Sequence, residues 1–294
     1  MEDKKNIIYH YCSVGTFYSI ISNKTIRLSD VSKTNEYMET QWAYKKILKE
    51  FSEKLLKDVF FTDRWKKIIE NIYCKLPSLT LALVSSFSNE GDMLSQWIKY
   101  AKDGTGVAIG FDSNKLNFAQ NDIGIFKEQV IYSENEQNRK IDEIVKKFLN
   151  EIDLSNKDDS DIESIVSDQI FSSLDNISST MKNPAFKEED EVRIVYPVNI
   201  GLESTLKFKE NSFSQTRKIY NTNFEISPIK YSVMDENLVL YSDLSFKDYI
   251  KNGIIKEIIL GPKCKLNEAE IKYFLHSENY IGAVDIKKSE AAYN

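Results

Sequence analysis

The run "FKEEDEVRIVYPV" sets a group of acids directly before a β-branched stretch. In a strand, alternate residues share a face, so Glu189, Glu191 and Arg193 line up on one side while Val192 and Ile194 take the other. Two carboxylates about 7 Å apart along a strand, beside a guanidinium, form a charged cluster at the mouth of an apolar sheet. Such a cluster can steady a developing cation or hold a hydroxyl. Its plainer reading is a solvated edge with a salt bridge. A second signal is His10 in "NIIYHYCS", one of only two histidines in the chain. A ring in a first strand either orients a ligand or is a satisfied structural group.

Other residues carry weaker chemistry. Trp97 and Tyr100 stand at i and i+3 on one helical segment, as core or as a ligand platform. Tyr11 and Phe87 sit in strand-like runs beside the same candidates. Arg27 in "TIRLS" reads as a surface residue or as a phosphate clamp. Several patterns are excluded. "GTGVAIG" follows a helix and enters a strand, the reverse of a dinucleotide-binding turn. "GPKCK" lacks the G-K-[ST] of a phosphate loop. His10 and Cys12 make a poor metal pair, with no His or Cys cluster to complete it. Two histidines and dispersed cysteines leave no serine or cysteine triad.

These residues need elements to position them. The pattern predicts a strand at Ile7–Cys12, then a helix capped by Ser13 with Phe17, Ile20 and Ile21 on its apolar face. "TIRLS" is a strand. Helices follow from Asn35, with a stripe from Met38 to Leu56, and from Asp63 to about Tyr73. "SLTLALVSSFS" is the most strand-like run, "GDMLSQWIKYAKDG" a short helix, and "GVAIGF" a buried strand. Residues of about 134–182 read as a helical hairpin inserted between strands, with the acidic link "SNKDDSD" as a solvated loop. Strands dominate the remainder: "EVRIVYPV", "NFEISPIKYSV", "NLVLYSDL", "KEIILGP" and "IGAVDIKKS". One helix, about Asn267–Leu275, sits between the last two. The expectation is one α+β domain over 1–294, a mixed and mainly antiparallel sheet with flanking helices.

Composition narrows the setting. With 294 residues and 41% hydrophobic content the chain can build a real core. Its net charge of −6 gives no global pull toward nucleic acid or anionic membrane. Three scattered cysteines, Cys12, Cys74 and Cys264, fit buried thiols in a reducing compartment. No signal-peptide core and no membrane-length apolar run is present, so a cytoplasmic protein is expected.

The strings "YHYCS", "SSFSNEGDMLSQWIKYAKDGTGVAIGF", "FKEEDEVRIVY" and "IKEIILGPK" resemble a widespread bacterial domain-of-unknown-function family over nearly the whole chain. Tyr37 and Val192 depart from that family's usual residues. The order of elements also resembles the ADP-ribosyltransferases, the DNA-modifying bacterial toxins in particular. That resemblance implies an ADP-ribosyltransferase-like sheet and cleavage of NAD at its nicotinamide–ribose bond. By position it makes His10 the ribose holder and Glu191 the catalytic glutamate, with Glu189 completing an E-x-E pair. Tyr11, Phe87, Trp97 and Tyr100 are the aromatic candidates for the NAD site, and Arg27 and Arg193 its cationic ones. It implies a toxin or antiviral effector, with nucleic acid, protein or water as acceptor. Two other readings remain open: a non-catalytic ligand- or partner-binding module with the 134–182 hairpin as its interaction surface, and a metal-dependent nuclease using Glu189, Glu191 and Asp residues.

Overall fold

A computed structural model describes residues 6–31, 80–118, 121, 123–151, 177–199, 215–234, 236–280, 282 and 284–293, with a few helical positions between 42 and 53. The helices expected from Asn35 and Asp63 lie essentially outside the described residues, as do Cys74 and the second arm of the hairpin.

Strand β1 (Ile7–Cys12) leads into helix α1 (Val14–Asn23). Ser13 caps α1 by accepting from the Thr16 amide at 3.1 Å, and Lys24 ends it in the left-handed region. Phe17, Ile20 and Ile21 face the core. Strand β2 (Thr25–Asp30) follows, then β3 (Thr80–Ser88), α2 (Leu94–Tyr100), β4 (Val107–Asp112) and β5 (Phe126–Gln129). Helix α3 (Glu134–Glu151) falls where the first arm of the expected hairpin lies. A 3-10 turn at Pro184–Glu189 precedes β6 (Glu191–Asn199). The later strands are β7 (Arg217–Lys218), β8 (Glu225–Ile226), β9 (Lys230–Met234), β10 (Asn237–Ser245), β11 (Ile255–Leu260) and β12 (Asp285–Lys288). Helix α4 (Glu268–Ser277) lies before β12, opened by a capping box of Asn267 and Glu270.

Two expectations shift. "NFEISPIKYSV" is not one strand but β8 and β9, parted around Pro228, which has no amide to give a ladder. "FKEEDEV" is not extended throughout. Its first half is the 3-10 turn, and Asp190 at φ 39° turns the chain into β6.

The sheet is mainly antiparallel, in the order β12-β11-β4-β1-β3-β2-β10-β8-β7, with β6 and β9 branching from β3 and β10 and β5 beyond β6. Among the described strands, only β11 and β12 run parallel. Among the described residues few helices flank the sheet, and the architecture is mixed α and β with an open sheet. The core lies on the face carrying Ile8, Leu28, Leu83, Phe87, Ile109 and Ile194. No helix among the described residues is long and apolar enough to cross a membrane. Cys12 and Cys264 are buried free thiols, and burial pushes the Cys12 thiol well up.

The feature that matters for function is a fork. One edge of β3 pairs along its length with β6. The other edge is shared: β2 takes Leu83 and Val84, and β1 takes Ser88. Those registers leave Ser85, Ser86 and Phe87 outside both ladders, so β1 and β2 diverge there, with α1 joining them.

Gly106 lets α2 and β1 approach. A Cβ there would stand 2.1 Å from the Cys12 carbonyl oxygen and 2.9 Å from that of Ala101, both backbone atoms. At Gly15 the nearest atom is the Ser13 hydroxyl at 3.8 Å. Gly106→Ala is therefore expected to cost about 1–3 kcal/mol. Gly15→Ala, inside a helix with room for the methyl, should stabilise by about 0.4–1 kcal/mol. Urea unfolding of the two variants checks the opposite signs.

Candidate active site

The acids, the lysines around them and the first-strand histidine meet at the fork. Register explains part of this. Tyr9 pairs with Ser88 and Ser88 with Glu191, so these three side chains share one face. His10 is one residue on and by the pleat belongs to the other face, with Ile8 and Cys12. Its ring turns into the gap instead. Nδ1 lies 2.9 Å from the Ser86 carbonyl oxygen, in the stretch of β3 that neither ladder uses. A carbonyl only accepts, so Nδ1 carries the hydrogen. Burial lowers the imidazole's pKa from its ordinary 6.5, with the Ser86 bond opposing. The ring is neutral near pH 7 and presents Nε2 as an acceptor. Phe87 packs against it at 5.5 Å.

Two elements position the carboxylates. Asn183 caps the 3-10 turn, accepting from the Ala185 amide at 3.0 Å. The turn ends at Glu189, whose carbonyl accepts from the Ser88 hydroxyl at 3.1 Å. Past the left-handed Asp190, Glu191 opens β6 with its amide donating to the Tyr132 hydroxyl at 3.2 Å. Glu191 and Arg193 share a strand face, as alternation predicts. Glu189 reaches the same cluster from the turn rather than from the strand.

Lys182 joins the two acids. Its ammonium sits 2.5 Å from Glu189 Oε2 and 2.8 Å from Glu191 Oε2, and it is fully buried. Arg193 donates through Nε to Glu191 Oε1 at 2.7 Å and through Nη2 to Oε2 at 3.2 Å. Its Nη1 holds the Ser179 carbonyl at 2.8 Å. Lys99 donates to Glu189 Oε1 at 2.7 Å, and the Tyr100 hydroxyl lies 3.5 Å from the same oxygen. Burial works to raise the Glu191 pKa. The adjoining Arg193 and Lys182 charges outweigh it and hold the carboxyl well below its ordinary 4.5. The segment bearing Lys182 is sewn to the chain before α3. Ile131 N donates to Thr180 O at 2.8 Å, and Gln137 Nε2 donates to Lys182 O at 2.8 Å. The base of the expected insertion is thus part of the buried cluster.

A cavity of about 80 Å³ opens here, bounded by His10, Ser86, Tyr100, Glu189 and Glu191 among others. Tyr9, Tyr11 and Phe87 complete its apolar side. Both tyrosine hydroxyls have protein partners: Tyr9 donates to Glu257 Oε2 at 2.8 Å, and Tyr11 to the Glu90 carbonyl at 2.8 Å. The cavity can admit a ring or the end of a sugar, with an acceptor on one side and carboxylates on the other. It is well under the roughly 300 Å³ of an ordinary ligand pocket, so a whole dinucleotide does not fit inside it.

Three residues named from sequence do not reach this cavity. Trp97 is fully buried, edge-on to Tyr11 at 4.8 Å, with Nε1 bonded to Asp92 at 2.6 Å. It belongs to the core and offers no ring face to a ligand. Arg193 spends its guanidinium on Glu191 and Ser179 and is also buried. Arg27 lines a different cavity, where it pairs with Asp243. Conversely, Lys182, Lys99 and Gln96 were not singled out from sequence, because nothing in their spacing separates them from the chain's other polar residues. Among the described residues, no group of three or more His, Cys, Asp or Glu is placed to hold a metal ion.

The sheet and its cavity define a class: an open, mainly antiparallel α+β protein with a buried charge cluster at a strand fork. Residues 96–194 match the family described as "Protein of unknown function (DUF2971)". That stretch carries Gln96, Tyr100, Glu189 and Glu191 of the cavity lining, with Lys182 and Arg193 of the ion cluster behind them. His10 and the β3 residues lie outside it, so the match is shorter than the resemblance in the sequence suggests. No curated protein matches the chain. No solved structure matches it either.

His10 and Glu191 contribute a pH dependence in the acid range. Each has a folded pKa below its ordinary value, so as pH falls the unfolded chain takes up the proton first and stability declines. The His10 contribution is complete above about pH 6.5 and is lost below it. That of Glu191 is complete above about pH 4.5 and is lost below that. Urea midpoints followed from neutral pH downward should fall in two stages. His10→Gln should flatten the upper stage and Glu191→Gln the lower.

Proposed function

We propose that the fork cavity takes the nicotinamide–ribose end of NAD and that the protein is an NAD-dependent ADP-ribosyltransferase-like enzyme or NAD glycohydrolase, with a sheet of ADP-ribosyltransferase-like type. One observation carries this reading. The His10 imidazole and the Glu189 and Glu191 carboxylates, distant in the chain, border the same small hollow. Each has a task in breaking an N-glycosidic bond. His10 Nε2 accepts a hydrogen bond from a ribose hydroxyl and orients the sugar. The C1′–N bond then breaks heterolytically, and both electrons leave with nicotinamide. The ribosyl carbon becomes oxocarbenium-like, as in glycoside hydrolysis. A preorganised carboxylate is suited to stabilise that charge. Glu191 is the assigned carboxylate, kept ionised by its neighbours, with Glu189 beside it on the acceptor side. Tyr100 or Phe87 supplies the aromatic wall. Water or a hydroxyl of nucleic acid or protein then attacks the ribosyl carbon and gives up its proton. The cavity's size accounts for the reacting end only; the adenosine half extends outside it. A toxin or antiviral effector is the biological setting this chemistry suits.

A second reading has its own support. Arg193 and Lys182 already offset the Glu191 charge, which suits a structural ion cluster and a non-catalytic binding module. A metal-dependent nuclease is less favoured, because the Lys182 ammonium already bridges the two carboxylates.

Incubation with NAD, with and without DNA, RNA and cell lysate, should release nicotinamide. Glu191→Gln should reduce release by about 100-fold or more, and His10→Ala by about tenfold, with the folded structure retained. Release unchanged in folded Glu191→Gln overturns the assignment. NAD binding without turnover favours the module, and magnesium-dependent cleavage of nucleic acid favours the nuclease.

A further inference from the structure

A second cavity, of about 850 Å³, shares no lining residue with the first. Its floor is one face of the β2–β10 ladder. Thr25 and Arg27 alternate with buried Ile26 and Leu28 on β2, and they pair with Ser245 and Asp243 on β10. On this side the ladder thus presents two hydroxyls, a guanidinium and a carboxylate. Helix α1 makes a wall through Thr16, and Lys230 of β9 closes another side. A sheet face made of hydroxyls and charges, opening onto a hollow of nucleotide size, is built to hold a polar ligand.

The charges select its class. The Arg27 guanidinium carbon lies 3.8 Å from the centre of the Tyr241 ring, a cation–π contact made while the side chain stays half exposed. Arg27 Nε is 3.5 Å from Asp243 Oδ1, and Lys230 Nζ is 3.1 Å from Asp243 Oδ2. Two cations therefore meet one carboxylate, leaving one positive charge in excess at the floor. Glu225, the other acid lining the cavity, is taken up by Lys247 at 2.7 Å. An arginine with an added lysine suits a phosphate group, which it meets through paired donors. The hydroxyl-bearing surround suits a sugar.

We propose that this cavity is a binding site for a phosphorylated nucleoside of mono- or diphosphate size, held by Arg27 and Lys230 at its phosphate. The proposal does not depend on the chemistry assigned to the fork cavity.

Calorimetric titration with ADP, adenosine and inorganic phosphate tests it on the full chain. ADP should bind, and adenosine should bind at least tenfold more weakly. Arg27→Gln should weaken ADP about tenfold or more, the loss expected for a charge-assisted contact. Lys230→Gln, at a solvent-facing position, should also weaken it and keeps the test decisive if Arg27→Gln does not fold. ADP that fails to bind at millimolar concentration, that binds no better than adenosine, or that is insensitive to both substitutions overturns the proposal. Failure of nicotinamide release bears only on the fork cavity.

Discussion

The arrangement depends on an ammonium ion out of water. Lys182 is fully buried and touches both Glu189 and Glu191. A buried charge is tolerated only when its partners satisfy it, and a buried pair of carboxylates is tolerated only when cations separate them. Here Lys182 and Arg193 together answer Glu191, and Lys182 and Lys99 answer Glu189. Each member makes the others affordable in an apolar setting. The cluster also ties distant chain segments together: the base of the hairpin segment, the 3-10 turn, β6 and helix α2.

The fork in the sheet gives that cluster an opening. Were β1 and β2 both fully paired to β3, no gap would exist at Ser85–Phe87, and His10 would sit among the core side chains of its own face. The divergence leaves a carbonyl to be satisfied, and the imidazole satisfies it. That bond fixes the ring's tautomer, in a residue that lines the cavity. One backbone irregularity thus converts a core position into a site position.

Much of this was legible in the sequence, for physical reasons. The amphipathic stripe of Phe17, Ile20 and Ile21 and the cap at Ser13 give α1 directly. The strand alternation places Glu191 and Arg193 on one face. The failures have equally specific causes. Glu189 was assigned to the strand because the left-handed turn at Asp190 leaves no mark in the alternation of residues. Trp97 was a candidate platform because periodicity does not tell a helix's core face from its ligand face. The resemblance puts Arg27 at the NAD site, yet β2 leads it to another cavity, since the fork is a property of pairing and not of either strand. Lys182 went unnoticed because its role arises only from long-range packing. Strand β5, short and with charged residues in "FKEQ", lacks the apolar alternation that reveals a strand.

The claim that a buried lysine holds the two acids is tested most directly by a double-mutant cycle on stability with Lys182→Met and Glu191→Gln. Removing either partner alone leaves uncompensated buried charge, at about 3–5 kcal/mol. The account predicts that the double variant costs less than the sum of the singles by at least about 1 kcal/mol. Additivity within about 0.5 kcal/mol would show that the two side chains do not depend on each other, and would contradict it.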